Sequence, residues 1–419
     1  MRKLRADYAF VPDLKKGVFS PMANPCITVD ESGKIIAIQE YSSPDSNSGK
    51  EDGIEYYNGV FVPGFINAHC HIELSHLFGA FEQASGMSGF INQINALRES
   101  VDERGRFEAM KQQFNLLSTQ GVVAVSDISN CSESFALKRQ FLNLVHSDSE
   151  ELFPVYYRTF VELFGTEESD AEQILKRGEK IAEQAVQMGL KASVTPHSPY
   201  TMSPKLLRIT TLRGLKSGEI SYHSQESQEE EDMIMYGTGA LAENYRGRGL
   251  SMPEPANTTA LEYFLNTVTA TSTEGLAKIE GRVNLVHNVV LSQRSIDAAK
   301  RVITEPFFTV CPLSNIFIHR ALPPLDLMRE NNLAICVGTD SLSSNTILSM
   351  VEEMRCIEQN FPHIPLGEIL QWACRNGAKA LGIEERCGSL QVGKTPGIVL
   401  IQNLRDFHLT PQSRSVRIV

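Results

Sequence analysis

Residues 59–71 have the sequence GVFVPGFINAHCH, a short apolar run that ends in two histidines one residue apart. In a β-strand, the side chains at positions i and i+2 point to the same face. His69 and His71 would therefore face the same way from the tip of a buried strand, while Cys70 would face the packing behind them. Such a strand would present two metal ligands. An isolated His-x-His also occurs by chance in loops, so this prediction depends on further ligands downstream.

The length and composition of the chain indicate one large globular enzyme-sized unit. Its 419 residues exceed one ordinary domain and suit a single α/β barrel with an appendage. Apolar residues make up 42% and charged residues 21%, which is typical of a chain with a large core. The net charge of -11 argues against nucleic acid and anionic membranes as partners, because both bind basic surfaces. We therefore expect a small-molecule substrate.

Sequence features that report on cellular location are few. The first ten residues, MRKLRADYAF, lack the apolar core of a signal peptide, and no window approaches the roughly 18 apolar residues of a membrane span. Eight cysteines are scattered without a C-x-x-C pair, as expected of free thiols in a reducing compartment. We expect a cytoplasmic protein without disulfides. The oligomeric state stays open, with a homodimer as one alternative.

The middle of the chain alternates between apolar runs rich in β-branched residues and helical patterns or loops. Near-continuous apolar strands of this kind are typical of a parallel sheet that is buried on both faces. Eight such runs predict an α/β fold, a (β/α)8 TIM barrel over residues 63–381. The runs are 65–68, 122–128, 155–164, 191–195, 220–222, 283–286, 307–310 and 333–337.

Both chain ends have a different pattern, with short strand-like runs separated by turn residues. Residues 1–62 and 382–419 are predicted to pair into one small β-sandwich domain. The barrel between them would then be an uninterrupted unit.

Polar residues follow several of the predicted barrel strands. His69 and His71 end the first strand, and single polar residues end four others. Function in this fold gathers at the carboxyl ends of the strands. One histidine at a strand end is often only a satisfied polar residue, and an aspartate there is often a turn or helix cap. The whole set is harder to explain in that way, because zinc-like metals bind imidazoles plus a carboxylate and leave a position for water. The four further residues are His197, His223, His287 and Asp340.

Seven short motifs resemble those of the metal-dependent amidohydrolase superfamily, in its deaminase and chlorohydrolase branch. They span nearly the whole chain in the order of that family. The resemblance implies a barrel with a small composite β-sandwich domain and the activity of a hydrolase acting on carbon–nitrogen bonds other than peptide bonds. The motifs are PGFINAHCH (63–71), TPHSPYTMSP (195–204), YHSQE (222–226), LVHN (285–288), CPLSN (311–315), GTDS (338–341) and GSLQVGK (388–394).

The resemblance also implies a ligand set. His69, His71, His223 and Asp340 would bind one divalent metal ion, zinc in the first place with iron as the alternative. Some members of the superfamily use two metals bridged by a lysine at the end of the fourth strand. Here Lys191 lies at the start of that strand, so a site for one metal is expected.

Three residues are expected to take part in the chemistry: Asp340 as a ligand with a catalytic role, Glu226 as a proton shuttle, and His287 as the group that orients the attacking hydroxide. Zinc lowers the pKa of its water to about 7, which makes hydroxide available near neutral pH. Glu226 lies three residues beyond His223, close enough to reach the same water. The alternative is that Glu226 only starts a helix, since the acidic run 229–232 follows it and is expected to be a solvated helix face.

Three local sequences resemble the deaminases of adenine rings that carry bulky substituents, with the aminodeoxyfutalosine deaminases as the nearest group. They are HIELS (71–75), ELFG (162–165) and HSPY (197–200). Phe78, Phe81 and Phe90 after the first strand would then form a wall for a flat ring, although a role in helix packing is about equally compatible. Polar groups would bond ring or sugar atoms. The expected substrate contacts are Glu162, His197, Phe78, Phe81 and Asn315.

Two further interpretations of function remain open. The same hydroxide chemistry would serve hydrolytic dechlorination, or deamination of guanine, cytosine or a triazine. A non-catalytic barrel relative that acts in binding or assembly is the alternative of a different class, although such proteins usually lose metal ligands. The chain departs from the family pattern in the segment 246–257, in Cys70 where threonine is commoner, and in the tail at 394–397.

Overall fold

The computed structural model of the protein describes residues 1–13, 15, 17–41, 53–144, 152–270 and 278–419. Residues 42–52, which belong to the predicted amino-terminal β segment, lie outside the described residues. The described part of that segment forms strands, as its alternating burial indicates. Their bounds are β1 Arg2–Pro12, β2 Phe19–Ala23, β3 Pro25–Val29, β4 Ile35–Glu40 and β5 Ile54–Pro63.

Eight parallel strands follow in the middle of the chain, one at each of the predicted apolar runs. They form two four-stranded sheets, β6-β7-β8-β9 and β10-β11-β12-β13. Strands β7 and β10 are buried along their whole length, as expected of strands covered on both faces. The bounds are β6 Phe65–Cys70, β7 Val122–Ser129, β8 Tyr156–Leu163, β9 Lys191–Pro196, β10 Glu219–Ser224, β11 Ile279–His287, β12 Ile303–Val310 and β13 Ile335–Val337.

Edge strands of the two sheets lie next to each other at both ends. Between β9 and β10, the backbone N–H of His223 donates to the carbonyl oxygen of His197 at 2.9 Å. On the other side, just beyond β13, the N–H groups of Thr339 and Asp340 both donate to the carbonyl oxygen of His69 at 3.0 Å. The carboxyl ends of β6, β10 and β13 are thereby brought together.

Helices follow most of these strands, and several begin at a side chain that accepts a hydrogen bond from the first turn, as Asp102, Ser203, Ser227 and Thr259 do. Among the helices in the part of the chain that the structure describes, none is both long and apolar enough to cross a membrane. Short 3-10 helices span Ile72–Leu77 and Glu168–Asp170, and a π-helix spans Gln371–Asn376. The α-helices are α1 Gly86–Leu97, α2 Glu103–Thr119, α3 Phe135–Leu142, α4 Ala171–Gln187, α5 Pro204–Leu215, α6 Gln228–Tyr236, α7 Gly239–Gly247, α8 Ala260–Thr269, α9 Gln293–Val302, α10 Pro312–His319, α11 Leu325–Glu330, α12 Met350–Asn360, α13 Leu366–Leu370 and α14 Gly377–Ala380.

The two chain ends share one seven-stranded sheet. Strands β14 (Ile398–Gln402) and β15 (Arg414–Arg417) extend it in the order β15-β14-β5-β1-β3-β4, and β2 pairs with β1. Gly59 lies where β5 approaches β14 closely, because a Cβ there would be 2.6 Å from the carbonyl oxygen of Ile401.

Buried apolar side chains form more than one cluster. The largest runs through the parallel strands and the helices packed on them and extends to one side of the terminal sheet, with Val62 and Ile401 among its members. It includes Cys70, as expected for a side chain that faces away from the histidines. A smaller cluster belongs mainly to the terminal sheet and includes Leu4, Ile27, Phe61 and Leu400. The apolar area buried in each is the main source of its stability.

Candidate metal centre and active site

Three imidazoles and one carboxylate converge where β6, β10 and β13 end. Nε2 of His71 lies 3.2 Å from Nε2 of His69 and 3.3 Å from Nε2 of His223. Oδ1 of Asp340 lies 3.8 Å from Nε2 of both His69 and His71. All four side chains are buried. The structure thus brings together every residue that the sequence suggested as a metal ligand.

The donor set of this cluster fits a divalent metal of the zinc type. Three imidazole nitrogens with one carboxylate oxygen are ligands that such metals prefer, and neutral imidazole is the form that binds. Burial, reinforced by the neighbouring His223, lowers the pKa of His69 well below its usual value. His69 is therefore neutral at physiological pH, and its Nε2 faces that of His71.

Glu162, at the end of β8, contacts the ligand His223 from behind. Its Oε1 lies 3.2 Å from Nδ1 of His223, and its Oε2 lies 3.8 Å from Nε2 of His197. Burial disfavours a charge on His223, but Glu162 outweighs burial and raises the pKa of His223 to about 9. A carboxylate at Nδ1 keeps the proton on that nitrogen and leaves Nε2 to face the cluster. Glu162 was expected to contact substrate; it lines the cavity described below and contacts His223 as well.

Two serines that sequence reasoning missed hold Asp340. The hydroxyls of Ser314 and Ser344 donate to its Oδ2 at 2.6 and 2.7 Å, which leaves Oδ1 facing the histidines. Asp340 has a φ of 56°, in the left-handed region. The sequence contains these serines in the CPLSN motif and in the serine-rich run after Asp340. It does not show that their hydroxyl groups face Asp340.

His287 and Glu226 face each other beside the cluster. Nε2 of His287 lies 3.6 Å from Oε1 of Glu226. Asn315 Nδ2 donates to Nδ1 of His287 at 3.1 Å, so the proton of His287 is on Nε2. Burial would raise the pKa of Glu226, but His287 and then His319 outweigh burial and lower it to about 2. Asn315 was expected to contact substrate. It is fully buried behind His287 and is not part of the cavity wall described below.

His319 is a sixth histidine near the candidate site, and sequence reasoning missed it. Its Nε2 lies 3.9 Å from Oε1 of Glu226, and its side chain is 92% buried. His319 stands four residues after Asn315 on α10, so both share one helix face. This four-residue spacing was the sequence feature that could have indicated a place for His319 beside Asn315. A second cavity of about 470 Å³ lies on the far side of His319.

The cluster opens into a cavity of about 420 Å³ with two unlike halves. Polar groups of the strand ends form one half, and α1 with its neighbours forms an apolar half. Phe78 is 60% exposed and Phe81 packs against Phe90, and neither belongs to this lining, although both were expected to contact substrate. The apolar side chains are Leu74, Met87, Phe90, Ile91, Ile94 and Phe164, and the segment 246–257 adds Arg248 and Leu250.

His197 lies on the polar side of the cavity, as expected. Its Nδ1 contacts the hydroxyls of Ser198 at 2.9 Å and Thr201 at 2.8 Å, which fix the ring so that Nε2 is turned towards Glu162. Burial lowers the pKa of His197 to about 4 although Glu162 opposes this shift. A neutral ring at this point can accept or donate one hydrogen bond at its second nitrogen.

The acidic run after Glu226 is not a solvated helix face, and that expectation was wrong. The carboxylate of Glu229 accepts from the N–H groups of Met87 at 2.9 Å and Ser88 at 3.1 Å. The Glu231 carboxylate accepts from the N–H of Ala260 at 3.2 Å. The first N–H groups of α1 and α8 have no partner within their own helices, and these carboxylates satisfy them.

Comparisons with known proteins agree with this geometry. A sequence profile of the amidohydrolase family matches residues 60–419. An adenosine deaminase of Helicobacter pylori is 28% identical over 381 residues, which are 86% of this chain and 83% of that protein.

Two solved structures share the fold. The aminofutalosine deaminase of Helicobacter pylori in complex with methylthio-coformycin has a TM-score of 0.78 at 21% identity, covering 100% of both chains. An adenosine deaminase from Xanthomonas campestris with bound zinc has a TM-score of 0.68 at 17% identity, covering 95% of this chain and 84% of that one.

Proposed function

The chain belongs to the amidohydrolase family, and we propose on this basis that it is a metal-dependent deaminase of an adenine ring that carries a substituent. The observation that carries the proposal is the cluster of three imidazoles and Asp340 beside Glu226, opening into a cavity with one polar and one apolar half. The reaction would replace the 6-amino group by oxygen from water and release ammonia.

The architecture that we infer is one (β/α)8 barrel over residues 63–381 with a composite β domain from residues 1–62 and 382–419. The hydrogen bonds between the edges of the two parallel sheets support a single closed barrel. The separate hydrophobic cluster of the terminal sheet supports the second domain.

His69, His71, His223 and Asp340 would hold the metal, and zinc fits this donor set. The similar adenosine deaminase structure from Xanthomonas campestris contains bound zinc. The metal, when bound, lowers the pKa of a coordinated water and so supplies the nucleophile near neutral pH. Glu162 keeps His223 in the orientation that binds, and Ser314 and Ser344 do the same for Asp340.

Glu226 is the proposed general base and acid. Its lowered pKa keeps the carboxylate ionised at neutral pH, ready to accept a proton from the attacking water. It would then pass that proton to a ring nitrogen, accept the second proton of the added oxygen, and deliver it to the leaving amine. His287 carries its proton on Nε2 and would donate a hydrogen bond to the attacking oxygen.

The proposed class of substrate is supported by the residues of the cavity wall and by His197. The ring would lie against the polar half, where Nε2 of His197 bonds a ring or sugar atom. The apolar side chains Met87, Phe90, Ile91 and Ile94 would cover the substituent. Among the similar proteins, one from Helicobacter pylori is named an adenosine deaminase and another an aminofutalosine deaminase.

A panel of heterocycles tests the proposal. The metal-loaded protein should release ammonia from adenosine or another adenine with a ring substituent. It should convert free adenine more slowly, because free adenine has no substituent for the apolar wall to contact. Conversion of guanine, cytosine or a chlorotriazine without any conversion of adenine derivatives would reject the substrate class and keep the chemistry. No turnover of any compound by protein with a full metal content would favour a non-catalytic relative.

A further inference from the structure

The turn between β10 and α6 carries Glu226 and includes one strained residue. Gln225 has a φ of 49°, in the left-handed region that residues with a side chain rarely adopt. Such a conformation persists where surrounding groups hold it. Gln225 and Glu226 are both buried, so each of their backbone N–H groups needs an acceptor.

Glu230 supplies both acceptors with one carboxylate. Its Oε1 accepts from the N–H of Gln225 at 3.0 Å, and its Oε2 accepts from the N–H of Glu226 at 2.9 Å. The side chain of Glu230 is fully buried. Ser227 Oγ accepts from the N–H of Glu230 at 3.1 Å, which fixes the first turn of α6 in the orientation that these bonds require.

A carboxyl group buried this deeply is unfavourable unless hydrogen bonds compensate for the lost water. Burial, with a further contribution from the nearby Glu231, raises the pKa of Glu230 well above its usual value. The compensating hydrogen bonds to the carboxyl group come from the N–H groups of Gln225 and Glu226. The carboxyl group of Glu230 therefore acts mainly on the backbone of the turn that carries Glu226.

The metal ligand three residues earlier is held in a different way. His223 pairs with Val286 in the register between β10 and β11, and its N–H donates to the carbonyl oxygen of His197. Glu162 fixes its ring. None of these contacts involves Glu230, so a disturbed turn would move Glu226 and leave His223 in place.

We propose that Glu230 is a positioning residue for catalysis, which holds the backbone of Gln225 and Glu226 so that the Glu226 carboxylate faces His287. The inference rests on the proposed function through the role of Glu226 alone. A displacement of a reacting group by about 1 Å can cost roughly 100-fold in rate.

Two variants and one matched control test this role. Glu230→Gln keeps the size of the side chain but replaces one acceptor by an NH₂ group that would face an N–H donor. Glu230→Asp keeps the carboxyl group but is too short to reach both N–H groups. The control is Glu262→Gln, because Glu262 also accepts from a buried helix-capping N–H, that of Thr259 at 3.0 Å, and lies on α8 away from the cavity lining.

Both Glu230 variants should lower kcat by about 10- to 100-fold, with KM within about threefold and the metal content unchanged. Hydrogen exchange of the peptide that spans residues 224–227 should become faster. Glu262→Gln should leave all four quantities within about twofold of the wild type.

Three outcomes would overturn the proposal: unchanged exchange in this peptide, faster exchange with an unchanged kcat, or a joint fall of kcat and metal content in the Glu230 variants. Kinetics are measured with whichever heterocycle the wild type converts. Failure on adenine derivatives would then reject the proposed substrate and leave this test intact. The exchange measurement needs no substrate.

Discussion

Asp340, His223 and His287 each have a second contact that decides which atom faces the rest of the site. Ser314 and Ser344 occupy Oδ2 of Asp340, Asn315 occupies Nδ1 of His287, and Glu162 lies against Nδ1 of His223. Such outer contacts orient ligands and fix tautomers. The side-chain atoms proposed to take part in the reaction are therefore held in place before substrate binds. Such preorganisation is a large part of how enzymes stabilise charge in the transition state.

Glu226→Gln is expected to keep the fold and the metal while lowering kcat by at least about 100-fold, because the amide cannot accept a proton from water. Steady-state ammonia release and metal analysis would measure this. Glu254→Gln, at an exposed position, makes the same chemical change away from the cavity and should behave as the wild type. A Glu226→Gln protein with normal turnover would contradict the proposed role.

At the scale of elements, the site depends on how closely β6 and the end of β13 approach. A Cβ added to Gly338 would lie 2.8 Å from the carbonyl oxygen of His69 and 2.9 Å from its Cβ. Gly338 comes two residues before Asp340, and the N–H groups that bond His69 follow it directly. The glycine is thus required by a close approach of two backbone segments that each carry proposed metal ligands.

Gly338→Ala should lower the free energy of unfolding by about 1–3 kcal/mol, because the added methyl group forces the two segments apart. The metal content should also fall, since His69 and Asp340 would separate. Urea unfolding and metal analysis would measure both.

Gly247→Ala is the matched control for this change. A Cβ at Gly247, at the end of α7, would meet no atom within 4 Å. The free energy of unfolding of the Gly247→Ala protein should therefore be unchanged or slightly higher. Full stability and full metal content in Gly338→Ala would show that the segments can move apart without cost.

At the scale of the whole molecule, the proposed metal site joins three regions of the chain. His69 lies on β6 and His71 just after it, His223 lies on β10 and Asp340 after β13, so an unfolded chain has no such site. A ligand that binds only the folded state stabilises it, by about 4 kcal/mol at 1,000 times its Kd. The first and last parallel strands would be tied together in this way.

Removal of the metal by a chelator should therefore lower the Tm by roughly 5 °C. His223→Ala should bind markedly less metal, and chelator should change its Tm little further. His363→Ala, which removes a half-exposed histidine paired with Asp326, should keep the wild-type metal content and response. Equal metal content in His223→Ala and the wild type would reject the ligand assignment.

The sequence by itself determined where the strands lie and which residues end them. Apolar runs of β-branched residues form strands wherever they are buried on both faces, so the eight parallel strands followed from local pattern. The strand ends gather at one end of a parallel arrangement, so His69, His71, His223 and Asp340 could be expected to meet. Their chemistry then indicated a metal.

Only the tertiary structure decided what lies against these residues. Asn315 was expected at the substrate, and the structure has it behind His287, outside the cavity lining. Glu162 lines the cavity and also contacts His223, which the sequence did not indicate. The sequence of the run from Glu229 to Glu231 does not show whether its carboxylates face water or, as the structure has them, backbone N–H groups. These contacts join segments far apart in the chain, and the angle at which helices pack on the strands selects the partner of each side chain, which no local pattern encodes.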